Sequence, residues 1–522
     1  MTSFQNQEPQ MNNLKEHRIP ILFLILLTSL VSLVFHYVEW NVVNKYPNGV
    51  YYINNGVTYG NGDNDYYLGQ VDNYFLGKGW RNNPPVGNGS YFRRTPGYSL
   101  LYLFARVVTP TIKDSLYVLV ILNCILYLFA FWALSKTLIY LKTSNIIYNF
   151  AMLFISVIPY FYHTLLCTMT ESISVYLSII SFFFLIKGYN EQDSKTKLIS
   201  YVFASFFIGY NTLTRPYLGM LLFLLPFFGF IEYYKFGLKR LLINYIIIGM
   251  IPVLMIGSWA LRNYIVTKEI VLLEVAYHPQ NLDRMKPELN GLRSLVLSWG
   301  EDGIVFNDYQ MPLYTNALKG DTSVMYIQNV MKHIPPDVIK TCGEQNIFHL
   351  LKRYQKVVYS QKEYFDKQIA MPATYSDEQI NLEKDFKNLA QKYISQHKFF
   401  YYVVCPSKYL KQIIFHSNTV GIYFLQERFR EHTILNLLRY LSAFIHISLF
   451  FFIFISMYTT RRNLLYCTIF VVIPIIYLLF FSYIVQTIEQ RYFSPILPLL
   501  LLGAFYNINY FYERYIAKNT LS

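Results

Sequence analysis

The chain has 522 residues, of which 54% are hydrophobic and 18% aromatic, and only 15% are charged. Soluble domains usually carry about 25% charged residues, so this composition, with a mean hydropathy of +0.26, excludes an ordinary soluble enzyme. The net charge of +14 does not indicate nucleic-acid binding, because many Lys and Arg residues sit in short clusters between long apolar runs, where they report membrane topology. The composition therefore predicts a protein that crosses a bilayer many times.

The first apolar run, residues 19–38, follows Lys15, His17 and Arg18. It is too long for the core of a signal peptide and lacks a clear small-x-small cleavage site, so we interpret it as a retained span. Residues 1–18 then form a cytoplasmic tail, of which the Gln- and Asn-rich residues 1–13 are predicted to be disordered.

The polar segment 39–98 carries the acidic residues Asp63, Asp65 and Asp72. From Asp65 onward apolar residues recur with helical spacing, which predicts a juxtamembrane helix. A carboxylate at the N-terminal edge of such a helix is held by backbone donors and stays ionised, which makes it a candidate catalytic base. A plain turn is the alternative interpretation, whereas a calcium loop is disfavoured because Tyr66 occupies the position where that loop needs Gly.

Ten apolar runs are predicted to span the membrane. The first stands alone, six belong to a transmembrane bundle at 99–261, and three form the C-terminal spans at 434–512. The ten runs lie at residues 19–38, 115–139, 146–162, 170–187, 198–213, 216–234, 242–261, 435–458, 463–483 and 492–511. The shorter apolar run 99–110 is predicted to lie in the interface or to re-enter the membrane.

The orientation follows from basic residues in short loops. With the N-terminus inside, five successive clusters fall on the cytoplasmic side: Lys136 and Lys142; Lys187, Lys195 and Lys197; Lys235, Lys239 and Arg240; Arg461 and Arg462; and Arg514 and Lys518. Residues 513–522 are then a cytoplasmic tail, and the two long segments 39–98 and 262–433 are external. Helical spacing in 376–397 indicates that the second segment is a small, mostly helical domain. Ser376, with Glu378 and Gln379 nearby, resembles the start of a helix.

These patterns predict the fold class: an all-α membrane protein of about ten transmembrane helices, with external juxtamembrane helices and an external helical domain. The five Cys residues follow no zinc or haem spacing. Cys342 and Cys405 share the second external segment, where a disulfide is an open alternative to free thiols because spacing alone does not decide it.

Four arginines stand beside apolar runs on the external side, in the motifs RRTPGY, LTRPY, WALRNY and EQRYF; they are Arg94, Arg215, Arg262 and Arg491. Snorkelling of a long basic side chain to the headgroups explains any one of them. The basic residues of the short loops follow the positive-inside rule, by which Lys and Arg concentrate in cytoplasmic loops. Four arginines on the external side depart from that rule and together favour a basic pocket at the membrane surface. Because the planar guanidinium donates two parallel hydrogen bonds to a phosphate, the predicted ligand is a lipid phosphate.

The stretch D-x-x-Y-Y, followed by Gly-x-Gly and RRTPGYSLLY, resembles the GT-C superfamily of polytopic glycosyltransferases. It looks most like the branch of protein O-mannosyltransferases and lipid A aminoarabinose transferases. Later pieces occur in the family's order: Thr170-Glu171, LTRPYL at 213–218, SWALRNYIV at 258–266 and EQRYFSPILP at 489–498. Residues 270–430 match nothing in this family.

The resemblance implies a GT-C-like fold and an inverting transfer of a sugar, a hexose or a pentose, from a polyprenyl-phosphate donor. The implied acceptor is a glycan, lipid or protein on the non-cytoplasmic side of a cell membrane, which the family resemblance favours as bacterial. Asp63 matches the family's catalytic Asp and would accept the acceptor's proton, with Asp65 as its rival. Arg94 matches the basic residue before the Pro-Gly-Tyr turn. With the other three arginines it would stabilise the departing lipid phosphate.

Four further residues are expected to shape the substrate pocket: Tyr66, Tyr98, Glu171 and Tyr492. Packing alone is a strong alternative for any Tyr in a chain that contains 49 of them. For Glu171 the favoured interpretation is capping of its own helix, and metal binding beside His163 is the alternative. No dense His/Asp cluster demands a metal, so no cofactor is predicted to be required, and a divalent metal stays open.

A lipid-linked polysaccharide polymerase and a membrane transporter or flippase are the alternatives to a transferase. Transporters place charges near the bilayer midplane, in broken helices, whereas the acids and arginines here cluster at external span ends. A polymerase also works at the external face, but it does not need an Asp loop directly after the first span. The sequence therefore favours an enzyme whose partners are a lipid-linked sugar, its acceptor and the bilayer, without nucleic acid.

Overall fold

The computed structural model describes residues 18–45, 52–60, 63–82, 91, 94–163, 165–226, 237–268, 270–273, 286–367, 372, 374–415 and 433–517. The predicted disordered residues 1–13 lie outside this part of the chain. Regular structure in the described residues is helical apart from two short strands, β1 (Tyr52–Asn54) and β2 (Thr58–Gly60), which pair antiparallel. The predicted all-α membrane fold is therefore confirmed.

Eight helices form the first part of the chain. They are α1 (Ile21–Lys45), α2 (Asn64–Phe75), α3 (Gly97–Val108), α4 (Ile112–Tyr140), α5 (Asn145–Val157), α6 (Thr170–Asn190), α7 (Ser194–Thr214) and α8 (Leu238–Thr267), with 3-10 helices at Pro159–Phe161 and Pro216–Phe223. Helix α6 is the centre of this bundle because nearly all of its residues are buried, whereas most residues of α1 are not. Helix α1 therefore lies at the lipid-facing edge.

A second group of helices, residues 286–415, has its own hydrophobic core and is called the helical domain below. It contains α9 (Pro287–Ser298), α10 (Phe306–Lys319), α11 (Val324–His333), α12 (Pro336–Cys342), α13 (Glu344–Ser360), α14 (Lys362–Asp366), α15 (Asp377–Gln396) and α16 (Cys405–Phe415), with a π-helical turn at Phe400–Val404. Ser376 and Gln379 form a reciprocal capping box at the start of α15, which confirms the helix start predicted there. The last helix, α16, packs on the bundle, since the carbonyl oxygen of Ile413 lies 2.9 Å from His446 Nε2.

The C-terminal part returns to apolar helices. It comprises α17 (Thr433–Thr459), α18 (Leu464–Cys467), a π-helical turn at Thr468–Val472, α19 (Ile473–Leu479), a second π-helical turn at Phe480–Val485, a 3-10 turn at Gln490–Phe493, α20 (Leu497–Phe511) and a last π-helical turn at Tyr512–Ala517.

Six described helices are long and apolar enough to cross a bilayer: Ile21–Asn41, Ile112–Tyr140, Thr170–Asn190, Ile246–Thr267, Asn436–Thr459 and Leu464–Val485. Three shorter apolar helices, at Gly97–Val108, Asn145–Val157 and Pro216–Pro226, accompany them. The chain is thus a multi-pass membrane protein, while the total of ten spans stays a prediction.

Prolines explain where two helices differ from the predicted spans. The predicted run 146–162 ends as a helix at Val157, because Pro159 holds Ile158 in an extended conformation. The predicted run 216–234 opens as a 3-10 helix at Pro216 for a related reason, since the residue before it is extended. Cys342 and Cys405 are both buried free thiols, so the disulfide considered from the sequence does not form here.

Close packing of α3 against the end of α7 requires Gly97. A Cβ added there would lie 2.5 Å from Thr214 N and 2.6 Å from Leu213 C. We therefore expect Gly97→Ala to destabilise the detergent-solubilised protein by about 1–3 kcal/mol, since backbone has to move. Gly69→Ala is the matched control, because nothing lies within 4 Å of a Cβ at that position. Thermal unfolding measures both variants, and equal midpoints would contradict this packing.

Candidate active site at one end of the helix bundle

A tight hairpin holds the chain that precedes Asp63. Asn55 and Gly56, at its turn, have positive φ values of 49° and 69°, which Asn and Gly adopt at lower cost than other residues. Strand β2 is then fixed to the chain that leads into α6, because Thr168 N donates a hydrogen bond to Tyr59 O at 3.1 Å. The hairpin thus brings the start of α2 beside the start of α6.

Helix α2 is fastened to α3 by polar contacts along their interface. Ser99 Oγ donates to Tyr67 O at 2.6 Å. Further along, Asp72 pairs with Arg106 at 3.2 Å and accepts a hydrogen bond from Tyr102 OH at 3.1 Å. Burial raises the pKa of Asp72, and the bonds from Tyr102 and Arg106 oppose this rise. These contacts fix the orientation of α2 and therefore of the residue at its N-terminus.

Asp63 is the N-cap of α2, but its side chain makes no capping hydrogen bond, in contrast to the predicted hold by backbone donors. Its carboxylate instead pairs with Arg94 Nη2 at 3.2 Å, and the two side chains are 12% and 24% exposed. The Arg94 guanidinium also lies 5.9 Å and 5.4 Å from the ring centres of Tyr66 and Tyr67, within reach of a cation–π interaction. Arg94 is therefore both the ion-pair partner of Asp63 and a neighbour of the two tyrosines at the start of α2.

Arg215 is buried at the end of α7. Its backbone is extended because Pro216 follows, which ends α7 and separates Arg215 from the helix. The guanidinium pairs with the carboxylate of Glu171, donates from Nε to Thr170 Oγ1 at 2.8 Å, and donates from Nη1 to Tyr217 OH at 2.5 Å. The side chains of Arg215 and Glu171 are 6% and 3% exposed. Bulk water therefore cannot solvate either charge if the ion pair is broken.

Thr170 connects the two ion pairs. Its hydroxyl accepts from Arg215 and donates to Tyr67 OH at 3.3 Å, and Tyr67 in turn lies against Arg94. Six side chains thus form one connected set, called the charge network below: Asp63, Tyr67, Arg94, Thr170, Glu171 and Arg215. It joins α2, the chain before α3, the start of α6 and the end of α7.

The 3-10 turn Gln490–Phe493 adds a fifth segment to this site. The Tyr492 ring lies 5.9 Å from the Arg215 guanidinium carbon and 5.6 Å from the Tyr217 ring. Tyr492 therefore stands beside the buried ion pair, while its role in a substrate pocket stays a prediction. The backbone of Arg491 belongs to the same turn, but its side chain lies outside the described residues.

Other predicted site residues are placed elsewhere or differently. Arg262 donates to the carbonyl oxygens of Tyr91, at 3.0 Å, and Trp80, so its described contacts anchor the chain between α2 and α3. Asp65 is exposed. Tyr98 is fully buried, which places it in the packing beneath α2 instead of in an open pocket.

Glu171 does not cap its helix, in contrast to the interpretation that the sequence favoured. Met169 occupies the N-cap of α6, without a side-chain cap, and Glu171 lies in the first turn as the partner of Arg215. The described residues contain no group of three or more His, Cys, Asp and Glu side chains arranged to hold a metal ion. The independence from metal stays a prediction.

Sequence reasoning missed a second buried polar cluster beside the hairpin. Tyr59 OH donates to the Glu39 carboxylate and to His163 O at 3.0 Å, and it lies 3.2 Å from His36 Nδ1. Burial lowers the pKa of His163, so its ring is neutral at pH 7. The available signal was an acidic residue near the end of an apolar span, because buried carboxylates of that kind have partners.

Comparisons with known proteins give little further information. No protein-family model matches the chain, and no curated protein matches its sequence. Among solved structures, the archaeal oligosaccharyltransferase AglB from Archaeoglobus fulgidus, in complex with an inhibitory peptide and a dolichol-phosphate, is similar with 12% identity and a TM-score of 0.45. The likeness covers 96% of this chain and 51% of AglB, so the chain spans about half the length of that protein. A likeness this loose assigns no role to any residue of the charge network.

The Arg215–Glu171 pair is the main energetic constraint of the site. We expect Arg215→Gln and Glu171→Gln each to destabilise the folded protein by about 3–5 kcal/mol, because each leaves the other charge buried and unpaired. The double variant is expected to cost less than the sum of the two. Unfolding of the four proteins in detergent gives the coupling energy, and a value near zero would contradict a buried pair. The exposed Glu363–Lys367 pair of the helical domain is the control, for which coupling near zero is expected.

Proposed function

We propose that the protein is an inverting glycosyltransferase that moves a sugar from a polyprenyl-phosphate donor to an acceptor on the non-cytoplasmic side of a membrane. The observation that carries this proposal is the charge network: Asp63, Arg94 and Arg215 are far apart in sequence but are linked through Tyr67 and Thr170 into one connected set of side chains. The GT-C-like motifs of the sequence support the same activity.

The distribution of basic residues supports an external position for this site. The positive-inside rule assigns the loops with Lys136, Lys187 and Arg461 to the cytoplasm. The start of α6 and the end of α7 then lie on the external side. The charge network lies at those helix ends. A lipid-linked sugar in the outer leaflet would therefore present its phosphate at the level of the two guanidinium groups.

Asp63 is proposed to act as the general base. As the acceptor's hydroxyl or amine attacks the anomeric carbon, Asp63 takes its proton, and the bond between that carbon and the phosphate oxygen breaks. The leaving group is the polyprenyl phosphate. Because the nucleophile enters on the face opposite the leaving group, the configuration at the anomeric carbon inverts.

Arg94 and Arg215 are proposed to stabilise the departing phosphate. Negative charge grows on the phosphate as the bond breaks, and fixed guanidinium groups lower the energy of that state. Protonation of Asp63 neutralises the partner of Arg94 in the same step, so the positive charge of Arg94 becomes available to the phosphate. Glu171 holds Arg215 in place, and Arg491 is proposed as a further phosphate ligand, whereas the contacts of Arg262 with Tyr91 and Trp80 give it a different role.

Tyr66 and Tyr492 are proposed to face the sugar, because each lies at one end of the charge network and neither is fully buried. The sugar is a hexose or a pentose, and the acceptor is a glycan, a lipid or a protein. A polymerase of lipid-linked glycans is the alternative activity, and it differs by extending one acceptor repeatedly. A flippase differs from both, because it would release no free polyprenyl phosphate.

Asp63→Asn is expected to lower transfer at least about 100-fold, because a general base contributes rate enhancements of this order or more. Proteoliposomes supplied with a panel of polyprenyl-phosphate sugars and membrane extract as acceptor source provide the assay. Mass spectrometry then measures released polyprenyl phosphate and the glycosylated product. Asp65→Asn, two residues away and exposed, is the control and should keep near-normal activity. Full activity of Asp63→Asn with loss in Asp65→Asn would assign the base to Asp65.

Arg491→Ala is expected to weaken donor use, because removal of a charged hydrogen-bond donor costs about tenfold or more in affinity for a phosphate. The same assay, run over a range of donor concentrations, gives the KM for the donor. The KM for the acceptor serves as the internal reference and should change little. Unchanged donor kinetics would remove Arg491 from the phosphate site.

A further inference from the structure

The helical domain holds a short linker, Val485–Thr487, which precedes the 3-10 turn of the candidate site. Arg293 of α9 donates from Nη2 to Val485 O at 3.1 Å and to Thr487 Oγ1 at 3.3 Å. From the next loop of the domain, Gly303 N donates to Gln486 O at 2.8 Å. All three linker residues are thus hydrogen-bonded to one domain, across some 190 residues of sequence.

This linker needs external support. Gln486 has a φ of 51°, in the left-handed region, which costs a non-glycine residue on the order of 1–2 kcal/mol. Such a conformation persists only where surrounding contacts hold it. The linker joins the π-helical turn Phe480–Val485 to the 3-10 turn Gln490–Phe493, so its conformation sets the direction in which the second turn begins.

The contact is also tight. A Cβ built on Gly303 would lie 3.0 Å from Thr487 Cβ and would overlap the Thr487 hydroxyl. The guanidinium of Arg293 is partly desolvated, and burial lowers its pKa. Among the residues that the structure describes, no carboxylate lies within ion-pair distance of it. Its hydrogen-bond donors are directed to neutral oxygens of the linker, which indicates a role in holding main chain.

The held linker ends at the charge network. Five residues after Thr487, the Tyr492 ring packs beside the Arg215 guanidinium. Tyr492 N bonds back to Glu489 O at 2.9 Å, and Tyr492 O accepts a hydrogen bond from Tyr477 OH. The turn is therefore fixed at both sides, by α19 and by the linker that the helical domain grips.

We propose that Arg293 is a positioning residue, through which the helical domain holds Val485–Thr487 and thereby places Tyr492 against Arg215. The inference rests on the proposed function, because the turn that Arg293 positions belongs to the donor site only if the protein is a glycosyltransferase. It assigns the helical domain a direct part in completing that site. Arg293 itself touches neither Tyr492 nor Arg215 and acts through the linker.

The test uses full-length protein in nanodiscs and two independent readouts. Hydrogen–deuterium exchange of residues 486–493 reports the linker, and titration with a polyprenyl phosphate that carries no sugar reports the site. We expect Arg293→Gln to speed exchange over 486–493 and to raise the Kd for polyprenyl phosphate about tenfold, with Arg293→Lys restoring part of both. Gly303→Ala disturbs the same linker without a change of charge and should speed the same exchange.

Arg353→Gln is the control, because Arg353 pairs with Glu378 and Asp385 inside the helical domain and should leave both readouts unchanged. Unchanged exchange over 486–493 in both Arg293→Gln and Gly303→Ala would overturn the positioning role. If the unaltered protein fails to bind polyprenyl phosphate, the proposed donor is wrong, while the exchange measurement still decides whether Arg293 holds the linker.

Discussion

The buried ion pair between Arg215 and Glu171 is the constraint on which the site depends. A guanidinium or a carboxylate that is buried without a partner of opposite charge strongly destabilises the fold. The end of α7 and the start of α6 must therefore lie together. Thr170, next to Glu171, then lies between Arg215 and Tyr67, and the hydrogen bonds of its hydroxyl bring α2 to the same place. The Asp63–Arg94 pair is the outer, more exposed end of this arrangement.

The two ion pairs have different consequences for chemistry. Arg215 is held by Glu171, Thr170 and Tyr217, which fixes its guanidinium in one orientation and leaves little to reorganise when charge develops nearby. Asp63 and Arg94 are partly exposed, which would let an acceptor reach the carboxylate in the proposed reaction. In that reaction, the rigid inner cation would face the departing phosphate and the accessible outer carboxylate would act as the base.

Much of the fold was readable from local sequence. Long apolar runs marked the spans, and Ser376 with Gln379 marked the start of α15, because these signals depend on neighbouring residues. The candidate site was readable in part: Asp63, Arg94, Arg215, Glu171 and Tyr492 stand in the motifs, and the structure links them through a chain of contacts, while their roles stay a prediction. Contacts between distant segments were not readable. The hydrogen bond of Arg293 to Val485 and that of Arg262 to Trp80 depend on how helices pack. The position of Glu39 after the first apolar run indicated a partner but did not identify Tyr59.

An experimental structure of the protein with a bound polyprenyl phosphate tests the central claim most directly. The phosphate oxygens should lie within hydrogen-bond distance of the Arg94 and Arg215 guanidinium groups, with the Asp63 carboxylate open to the acceptor side of the same cavity. A phosphate bound elsewhere on the bundle, with Asp63 separated from it by packed side chains, would contradict sugar transfer at the charge network.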